Sequence, residues 1–583
     1  MNDVPDDFEA PDSVHAVLAA RIDLLPSDQK LALQAASVIG RTFWDGPLRA
    51  LIDEEPDLEL LEDRDFVRRS SGSSLAGHRE YVVKHALTRE VAYGSLPKGR
   101  RARLHAAFAG WLEETGEGRD EHVPLLAHHY GQAVEDADLA WGNDPDELRR
   151  LERSAARWLR RAGELAVGRY ELADGISLLH RALELAPDPD DQAELWREIG
   201  RANALGFHGR EFWEAMERSL ELTEEPRLRG ATYAELAVQT ATRSAMWRRR
   251  PDRAVVHKWI DQALELTEPE TPARVKALSA RGFWAAGVGV DAAREAVSTA
   301  ERLGEPDLQA LALGSLSLST FTARRFEESH AAAAEAVALV PAISDPEAVS
   351  FGYESLVPVE TMLGRFAEAR AMAARFDEAV QRLSPHHRMH GVAVRAELDE
   401  LMGDWSAIDK ALPRIERAVT ANLGTPCIRN ERTLLIGAAA RTIAGDKEEA
   451  ARLEERAASL AMEGYDEVLA AQRLRLALLR GERDEAERLL RFNVPTGGTG
   501  AWFWFSVPAL PARLDALIAL GDRDRVEDEA EPLLELHGTY LEPFAQRSIG
   551  HVRGDRGLVE AAMARFEAMQ LPWHVEQTRA LLP

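Results

Sequence analysis

The stretch Gly445-Asp-Lys-Glu-Glu-Ala450 lies between two segments rich in alanine and leucine and predicts the turn of a helical hairpin. Glycine readily adopts the left-handed conformation that ends a helix, and the acidic residues after it favour the positive N-terminus of a second helix. In that second helix the apolar positions recur at steps of three and four residues, namely Ala450, Leu453, Ala457 and Leu460. This spacing builds one apolar face, so the two helices are expected to pack against each other.

The same turn recurs along the chain from about residue 145. Further examples begin at Gly168, Gly209, Gly364, Gly403, Gly481, Gly521 and Gly554, and Arg324 fills the same position without glycine. From Arg324 onward the spacings are 40, 39, 42, 36, 40 and 33 residues. With the segments near Arg248 and Gly287, the pattern predicts an α-solenoid of about eleven hairpins. In such an array each hairpin is expected to bury its apolar face only against its neighbours and to leave an extended groove.

The composition excludes several classes of protein. The 583 residues are 45% hydrophobic, which excludes a disordered chain, and their net charge is -27. A charge of this sign repels nucleic acid and anionic lipid. Cys427 is the single cysteine and cannot form an internal disulfide, which is typical of a reducing cytoplasm. Because no apolar run reaches the length of a membrane span, we expect a cytoplasmic protein without a membrane partner.

The seven lysines allow an exhaustive search for one catalytic motif. None of them completes Gly-Lys-Ser/Thr, in which the lysine reaches the terminal phosphates of ATP and the hydroxyl binds magnesium. The chain also has no Gly-x-Ser-x-Gly and no His-Glu-x-x-His sequence. We therefore expect no catalytic residues, no cofactor and no enzymatic activity.

The first 115 residues do not follow the repeat. Ser13 to Pro26, Ser27 to Ile39 and Gly46 to Ile52 read as three helices. The run from Asp65 to Ser74 then predicts a strand with a flexible tip, and Arg79 to His85 predicts its antiparallel partner. Helices followed by a two-stranded wing are the order of a winged helix.

Two resemblances refine this interpretation. The turns of the form Gly-x-Phe/Tyr/Trp-x-x-Ala over residues 145 to 583 resemble those of tetratricopeptide repeats. The segments 11–26, 35–43, 81–97 and 566–574 look like the region directly after the ATPase core in bacterial STAND-type signalling ATPases. The resemblance implies an all-α chain with an acidic tail at 1–12, a winged-helix-like domain at 13–115 and a right-handed tetratricopeptide-like solenoid at 116–583. The ATPase core, the nucleotide cyclase and the LuxR-type domain of such proteins are absent from this sequence.

Two features of the winged region are candidate sites. The resemblance implies that His85, after the second wing strand, contacts a nucleotide phosphate; the alternative is a structural histidine at a strand-to-helix junction. Residues 61–112 hold ten basic and five acidic residues. The basic winged region, Arg64, Arg68, Arg69, Arg79 and Lys84, could contact DNA phosphates, although packing against another protein domain or a solvated face is favoured.

Histidine clusters and one glycine-rich loop are further candidate ligand sites. His386, His387 and His390 have the helical spacing of metal ligands, but no carboxylate or cysteine completes the set nearby in sequence. His128 and His129 lack such a completion as well, so no metal is predicted. The loop from Asn493 to Gly500 lacks the phosphate-binding lysine and is expected to connect two repeats. The aromatic run from Trp502 to Phe505 is expected to lie in a core.

These observations favour a non-catalytic scaffold or sensor of a bacterial signalling system, which binds a protein or peptide in the solenoid groove. The residues that bind the partner are unknown from the sequence. A first alternative is a regulatory fragment of a STAND ATPase or cyclase that acts in trans with a separate nucleotide-binding or cyclase domain. A second alternative is a winged-helix transcriptional regulator, against which the net charge argues.

Overall fold

The fold was obtained as a computed structural model that describes residues 12–52, 55–116, 120–135, 137–249, 251–284, 289–492 and 507–582. The chain divides into two compact units, unit 1 up to Ala202 and unit 2 from Asn203. The acidic tail up to residue 11, the loop 493–500 and the aromatic run 502–505 lie outside the described residues.

Unit 1 begins with a small mixed arrangement of helices and strands. Its elements, in chain order, are α1 (Asp12–Asp23), α2 (Ser27–Ile39), β1 (Thr42–Trp44), α3 (Asp45–Ile52), α4 (Leu58–Asp63), β2 (Val67–Arg69), β3 (Glu80–Val83), α5 (Ala86–Gly94), α6 (Lys98–Gly116), α7 (Val123–Glu135), α8 (Ala137–Trp141), α9 (Pro145–Gly168) and α10 (Leu172–Leu185). α11 (Pro189–Leu205) contains the boundary between the units.

The three strands form one antiparallel sheet in the order β1-β3-β2. Phe43 and Arg69 both pair with Tyr81, so β3 is the central strand. The predicted hairpin between β2 and β3 is therefore present, and the three predicted helices correspond to α1, α2 and α3. The sequence did not predict β1 or α4, because three- and six-residue elements are too short to show a period.

Unit 2 consists of α12 (Gly209–Leu222), a series of helical hairpins and a last helix, α31 (Pro572–Arg579). The hairpins are α13–α14 (Pro226–Thr242, Arg253–Leu266), α15–α16 (Pro272–Trp284, Val290–Leu303), α17–α18 (Pro306–Thr322, Phe326–Leu339), α19–α20 (Pro346–Met362, Phe366–Ala379), α21–α22 (Pro385–Met402, Trp405–Ala421), α23–α24 (Ile428–Ile443, Lys447–Ala458), α25–α26 (Asp466–Arg480, Arg483–Leu489), α27–α28 (Ala509–Leu520, Arg523–Leu534) and α29–α30 (Glu542–Arg553, Arg556–Ala568). Together they confirm an all-α solenoid.

Local chemistry explains the hairpin turns. In the turn between α23 and α24, Gly445 has a φ of 84° and Asp446 caps α24 by accepting a hydrogen bond from the N–H of Glu449. The glycine tolerates the left-handed conformation, and the cap satisfies one free N–H of the next helix. The earliest turns differ from the prediction, because Gly168 is the last residue of α9, Gly209 is the first residue of α12, and the left-handed residues are Tyr170 and Phe207.

The first helix of each hairpin packs against the first helices of both neighbouring hairpins, and it also contacts second helices. Each first helix therefore has few free faces, and most residues of α23 are buried. Charged side chains are paired one repeat apart, as between Arg452 and Glu416 and between Arg414 and Asp377. The repeat period thus sets both the apolar and the ionic contacts.

Hairpins that are distant in sequence also touch, which corrects the expectation of contacts between neighbours alone. The N–H of Tyr540, just before α29, donates to the carbonyl of Met362 at 2.8 Å. Its hydroxyl donates to the carbonyl of Leu401 at 2.8 Å, and Nε2 of His574 also lies 2.8 Å from that oxygen.

A second long-range contact lies near the start of unit 2, where the carbonyl of Trp247 accepts a hydrogen bond from the hydroxyl of Tyr465, 218 residues later. Unit 2 is therefore held together by contacts that cross its interior as well as by stacking.

Among the described residues, no helix combines the length and the apolar character that crossing a membrane requires.

Candidate functional site

His85 lies at the junction that the sequence predicted, between β3 and α5. Its backbone is extended, with a φ of -123° and a ψ of 132°, and its side chain makes no capping hydrogen bond to the helix. The carbonyl of His85 instead accepts a bond from the N–H of Thr88 at 3.0 Å. The imidazole is exposed, so it can meet a ligand or a second protein.

The basic winged region is only partly available to an anion. Arg79 donates to Asp45 at 2.8 Å, and Lys84 forms an ion pair with Asp65. These carboxylates neutralise two of the five cations. Burial would raise the pKa of Asp45, but hydrogen bonding to Arg79 helps to lower it below its usual value. Hydrogen bonding to Lys84 lowers the pKa of Asp65. The other three cations are exposed and remain as the accessible positive charge, namely Arg64 at the end of α4 and Arg68 and Arg69 on β2.

A histidine cluster lies on α6 and α7 in unit 1. Nδ1 of His105 and Nδ1 of His129 are 2.8 Å apart, and Nε2 of His105 is 3.1 Å from the hydroxyl of Tyr93. His128 adjoins both imidazoles. Burial, followed by the charges of His128 and nearby arginines, lowers the pKa of His105 to about 3. Burial likewise lowers the pKa of His129 well below its usual range, so both buried imidazoles are neutral at physiological pH and use their nitrogens to bond each other and Tyr93.

A cluster of buried charge lies in unit 2, on the facing sides of α19, α21 and α23; we call it the ionic core. Glu354 contacts Arg429 on α23 and His390 on α21, with 2.8 Å between Oε1 and Nδ1 of the histidine. Arg429 also contacts Glu397 at 3.2 Å, and Arg432 lies 3.3 Å from the same carboxylate. Acidic and basic groups thus alternate across three first helices.

The ionic core shifts the protonation of its members. Burial alone would raise the pKa of Glu354, but the charges of Arg429 and His390 outweigh it and lower that pKa to about 2. Burial would lower the pKa of His390, but the carboxylate of Glu354 raises it to about 10. At neutral pH the core therefore contains ionised partners that stabilise each other.

A cavity of about 40 Å³ adjoins the ionic core. It is lined by Glu354, Glu397, Arg429 and Arg432, by apolar side chains of α19 and α21, and by Val507 and Pro508 just before α27. First helices from separate hairpins therefore face each other across it. The volume suits a few water molecules, so the chain's own residues narrow the predicted extended groove at this position.

The structure brings together histidines that the sequence had left incomplete. His386 and His390 lie on one face of α21, and Cys427 joins them from the cap position of α23, with 3.5 Å between its Sγ and Nε2 of His390. His387 points elsewhere, with Nδ1 at 2.7 Å from the hydroxyl of Ser384. His386 and His390 are thus joined by the thiol of Cys427, whereas His387 is not part of the group.

Sequence reasoning missed both the ionic core and the contribution of Cys427. Cys427 follows His390 by 37 residues, a distance within the range of the repeat spacings. Residues one period apart lie on adjacent first helices, so searching at that separation would have found the pair. The run Arg429-Asn-Glu-Arg432 gave a further signal, because a first helix of an array is expected to be buried.

No protein-family model matches the chain, and no curated protein matches it. Similar solved structures include a STAND ATPase with a tetratricopeptide repeat sensor from Pyrococcus horikoshii, with 13% identity over 84% of this chain and 68% of that one and a TM-score of 0.47. The Cut9–Hcn1 assembly of the APC/C has 12% identity over 83% and 97%, with a TM-score of 0.38. Aspartyl phosphate phosphatase F from Bacillus subtilis has 12% identity over 79% and 96%, with a TM-score of 0.33.

Proposed function

We propose that this chain is a non-catalytic interaction protein of a bacterial signalling system, located in the cytoplasm, whose repeat array binds a protein or peptide partner. Stacked helical hairpins present long surfaces on which side chains from many repeats can act together. The absence of a phosphate-binding lysine motif from the sequence agrees with a role in binding.

The observation that carries the proposal is the ionic core beside the cavity. Buried ion pairs are no more stable than well-packed apolar residues of similar volume, because both charges lose their hydration. Leucine at positions 397 and 432 could therefore stabilise the fold about as well as Glu397 and Arg432 do. What the alternating charges do provide is directional recognition of polar groups on a partner.

The test is selection from a peptide-display library on the immobilised full chain. The matched proteins are the wild type, the double variant Glu397→Gln with Arg432→Gln, and the control Arg210→Gln, whose arginine is exposed and pairs only with its neighbour Glu211 among the ion pairs described for it. We expect one peptide group to be enriched on the wild type and the control and lost on the double variant. Equal enrichment on all three proteins, or none on any, would contradict binding at the ionic core.

We further propose that α1 to β3 is a winged-helix module, which the order helix, helix, strand, helix, helix, strand, strand supports. This module favours a second candidate function, regulation of a separately encoded STAND-type nucleotide-binding domain. Val17 on α1 and Leu24 just after it are 60% and 76% exposed, which is unusual for apolar side chains on one short segment. Together with the exposed His85, they offer a surface to such a domain.

The second candidate is tested first on the genome, where the coding sequence directly upstream should contain a frame with Gly-x-x-x-x-Gly-Lys-Ser/Thr. The product of that frame should co-purify with the wild type and not with Val17→Ser combined with Leu24→Ser. The control is Val255→Ser, another partly exposed valine, which lies in unit 2. An upstream region without such a frame, or co-purification that survives the double change, would contradict the second candidate. Only the interaction-scaffold proposal would then remain.

A further inference from the structure

Three potential metal ligands meet inside unit 2 between α21 and α23. Nitrogen atoms of His386 and His390 and the Sγ of Cys427 all lie within 4.8 Å of one another, and all three residues are buried. The two histidines are four residues apart on one helix, so their side chains project from the same face. The cysteine comes from the start of the adjacent first helix.

His386 is the member that ordinary packing leaves unexplained. Its side chain is 2% exposed, and neither of its ring nitrogens has a hydrogen-bond partner. A buried polar group without a partner destabilises the fold, because it has lost its hydrogen bonds to water. The ring lies 4.2 Å from the ring of His390 and 4.3 Å from that of Phe207, measured between centroids. A metal ion bound to one nitrogen would remove part of this cost.

The distance between the sulfur and one of the histidine nitrogens fits tetrahedral zinc. With Zn–S bonds near 2.3 Å and Zn–N bonds near 2.0 to 2.1 Å, a tetrahedral site separates sulfur and nitrogen by about 3.5 Å. The distance between Sγ of Cys427 and Nε2 of His390 is 3.5 Å. Imidazole and thiolate donors are also those that zinc and its neighbours in the transition series prefer.

The surroundings of His390 provide the support that metal-binding histidines usually have. Its Nδ1, the nitrogen turned away from Cys427, lies 2.8 Å from the carboxylate of Glu354. A carboxylate at this position fixes the imidazole ring and leaves Nε2 for the metal. Arg429 contacts both Glu354 and Glu397, so its charge is balanced by two carboxylates close to the site.

The histidine cluster of unit 1 provides a useful contrast. His105, His128 and His129 also place nitrogens within 4.8 Å of one another. However, both nitrogens of His105 already contact polar atoms, at 2.8 Å in His129 and 3.1 Å in Tyr93. These imidazoles satisfy each other, so that cluster needs no metal.

We propose that His386, His390 and Cys427 bind one divalent transition-metal ion of the zinc class, with a fourth position for water. Binding takes the sulfur as thiolate and both imidazoles as neutral ligands, so the thiol proton of Cys427 and the Nε2 proton of His390 pass to solvent as the metal bonds form. The ion would join α21 to α23 beside the ionic core. This inference is independent of the proposed function, since a metal that only fastens two repeats requires no partner.

The test is titration of the metal-free full chain with Co²⁺, followed by displacement with Zn²⁺. Cys427 is the only cysteine, so a sulfur-to-cobalt charge-transfer band in the wild type can arise from no other residue. We expect one equivalent of Co²⁺ to produce this band together with the visible bands of tetrahedral cobalt, and Zn²⁺ to abolish both. Cobalt bound without the band, or no binding at all, would overturn the proposal without any substitution.

Variants then locate the site. Cys427→Ser should remove the charge-transfer band, and Glu354→Gln should weaken cobalt binding by about 10- to 100-fold through loss of the supporting carboxylate. The matched control is His128→Ala, which removes the partly exposed member of the other cluster and should leave the titration unchanged. A titration that His128→Ala abolishes, or one that Glu354→Gln leaves unaltered, would contradict this site.

Discussion

Replacing Gly403 by alanine tests whether distant hairpins are joined. Gly403 ends α21 with a φ of 71°, and a Cβ added to it would lie 2.5 Å from Cβ, Cγ and Cδ1 of Trp573 on α31. Gly481 is the matched control, since it ends α25 with a φ of 72° and an added Cβ would meet nothing within 4 Å. The two substitutions therefore share the backbone strain and differ only in the contact 170 residues away.

The magnitudes follow from these two effects. A non-glycine residue in the left-handed conformation costs roughly 1 to 2 kcal/mol, which is the whole expected loss for Gly481→Ala. Carbon atoms in contact normally lie about 3.5 to 4.0 Å apart, so the alanine at 403 must displace the backbone of α31. Overpacking of this kind adds about 1 to 3 kcal/mol. Gly403→Ala should therefore lose about 2 to 5 kcal/mol.

Amide hydrogen exchange measured by mass spectrometry distinguishes the two variants. Exchange of the peptide that covers α31 should accelerate by about 5- to 150-fold in Gly403→Ala relative to Gly481→Ala, which corresponds to the additional 1 to 3 kcal/mol. Urea unfolding followed by tryptophan fluorescence should rank the free energies of unfolding in the same order. Equal exchange of α31 in the two variants would refute the reasoning and restore an array stabilised by neighbouring repeats alone.

Three further predictions use other parts of the chain. Burial, followed by the charge of a nearby arginine, lowers the pKa of His574 to about 3. Below pH 6.5 the unfolded chain therefore binds more protons than the folded one. The free energy of unfolding should fall by about 1.4 kcal/mol per pH unit from pH 6.5 towards 3. Urea midpoints between pH 7 and 5 should decline less steeply in His574→Gln than in the wild type. In a mobility-shift assay at physiological salt we expect no tight DNA binding; sequence-selective binding abolished by Arg68→Ala and Arg69→Ala would contradict this. Ala450 is buried, so the larger side chain of Ala450→Trp should lower the free energy of unfolding by about 1 to 3 kcal/mol. Mild protease should then cut the hairpin of residue 450 while unit 1 stays resistant. Simultaneous digestion of both units would contradict the division of the chain.

The candidate sites show how far sequence reasoning can reach. The histidine pair at 386 and 390 was visible as a helical spacing, because one turn of a helix brings these positions together. Its third member, Cys427, was not assigned, since it belongs to another helix and only the stacking of repeats places it there. The pairing of Arg79 and Lys84 with carboxylates was hidden for the same reason, and it reduces the charge that the composition suggested.

Local signals were sufficient for the helical hairpins of this protein. Glycine at Gly445 and the capping Asp446 act within a few residues, so the turns from Arg324 onward could be placed from the sequence, and the period then implied a solenoid. The tertiary structure alone decided that Tyr540 bonds to the ends of two helices more than a hundred residues earlier and that the groove is narrowed beside the ionic core. The physical reason is that small deviations at each hairpin accumulate along the array. Their sum determines which distant surfaces meet, and no single stretch of sequence records that sum.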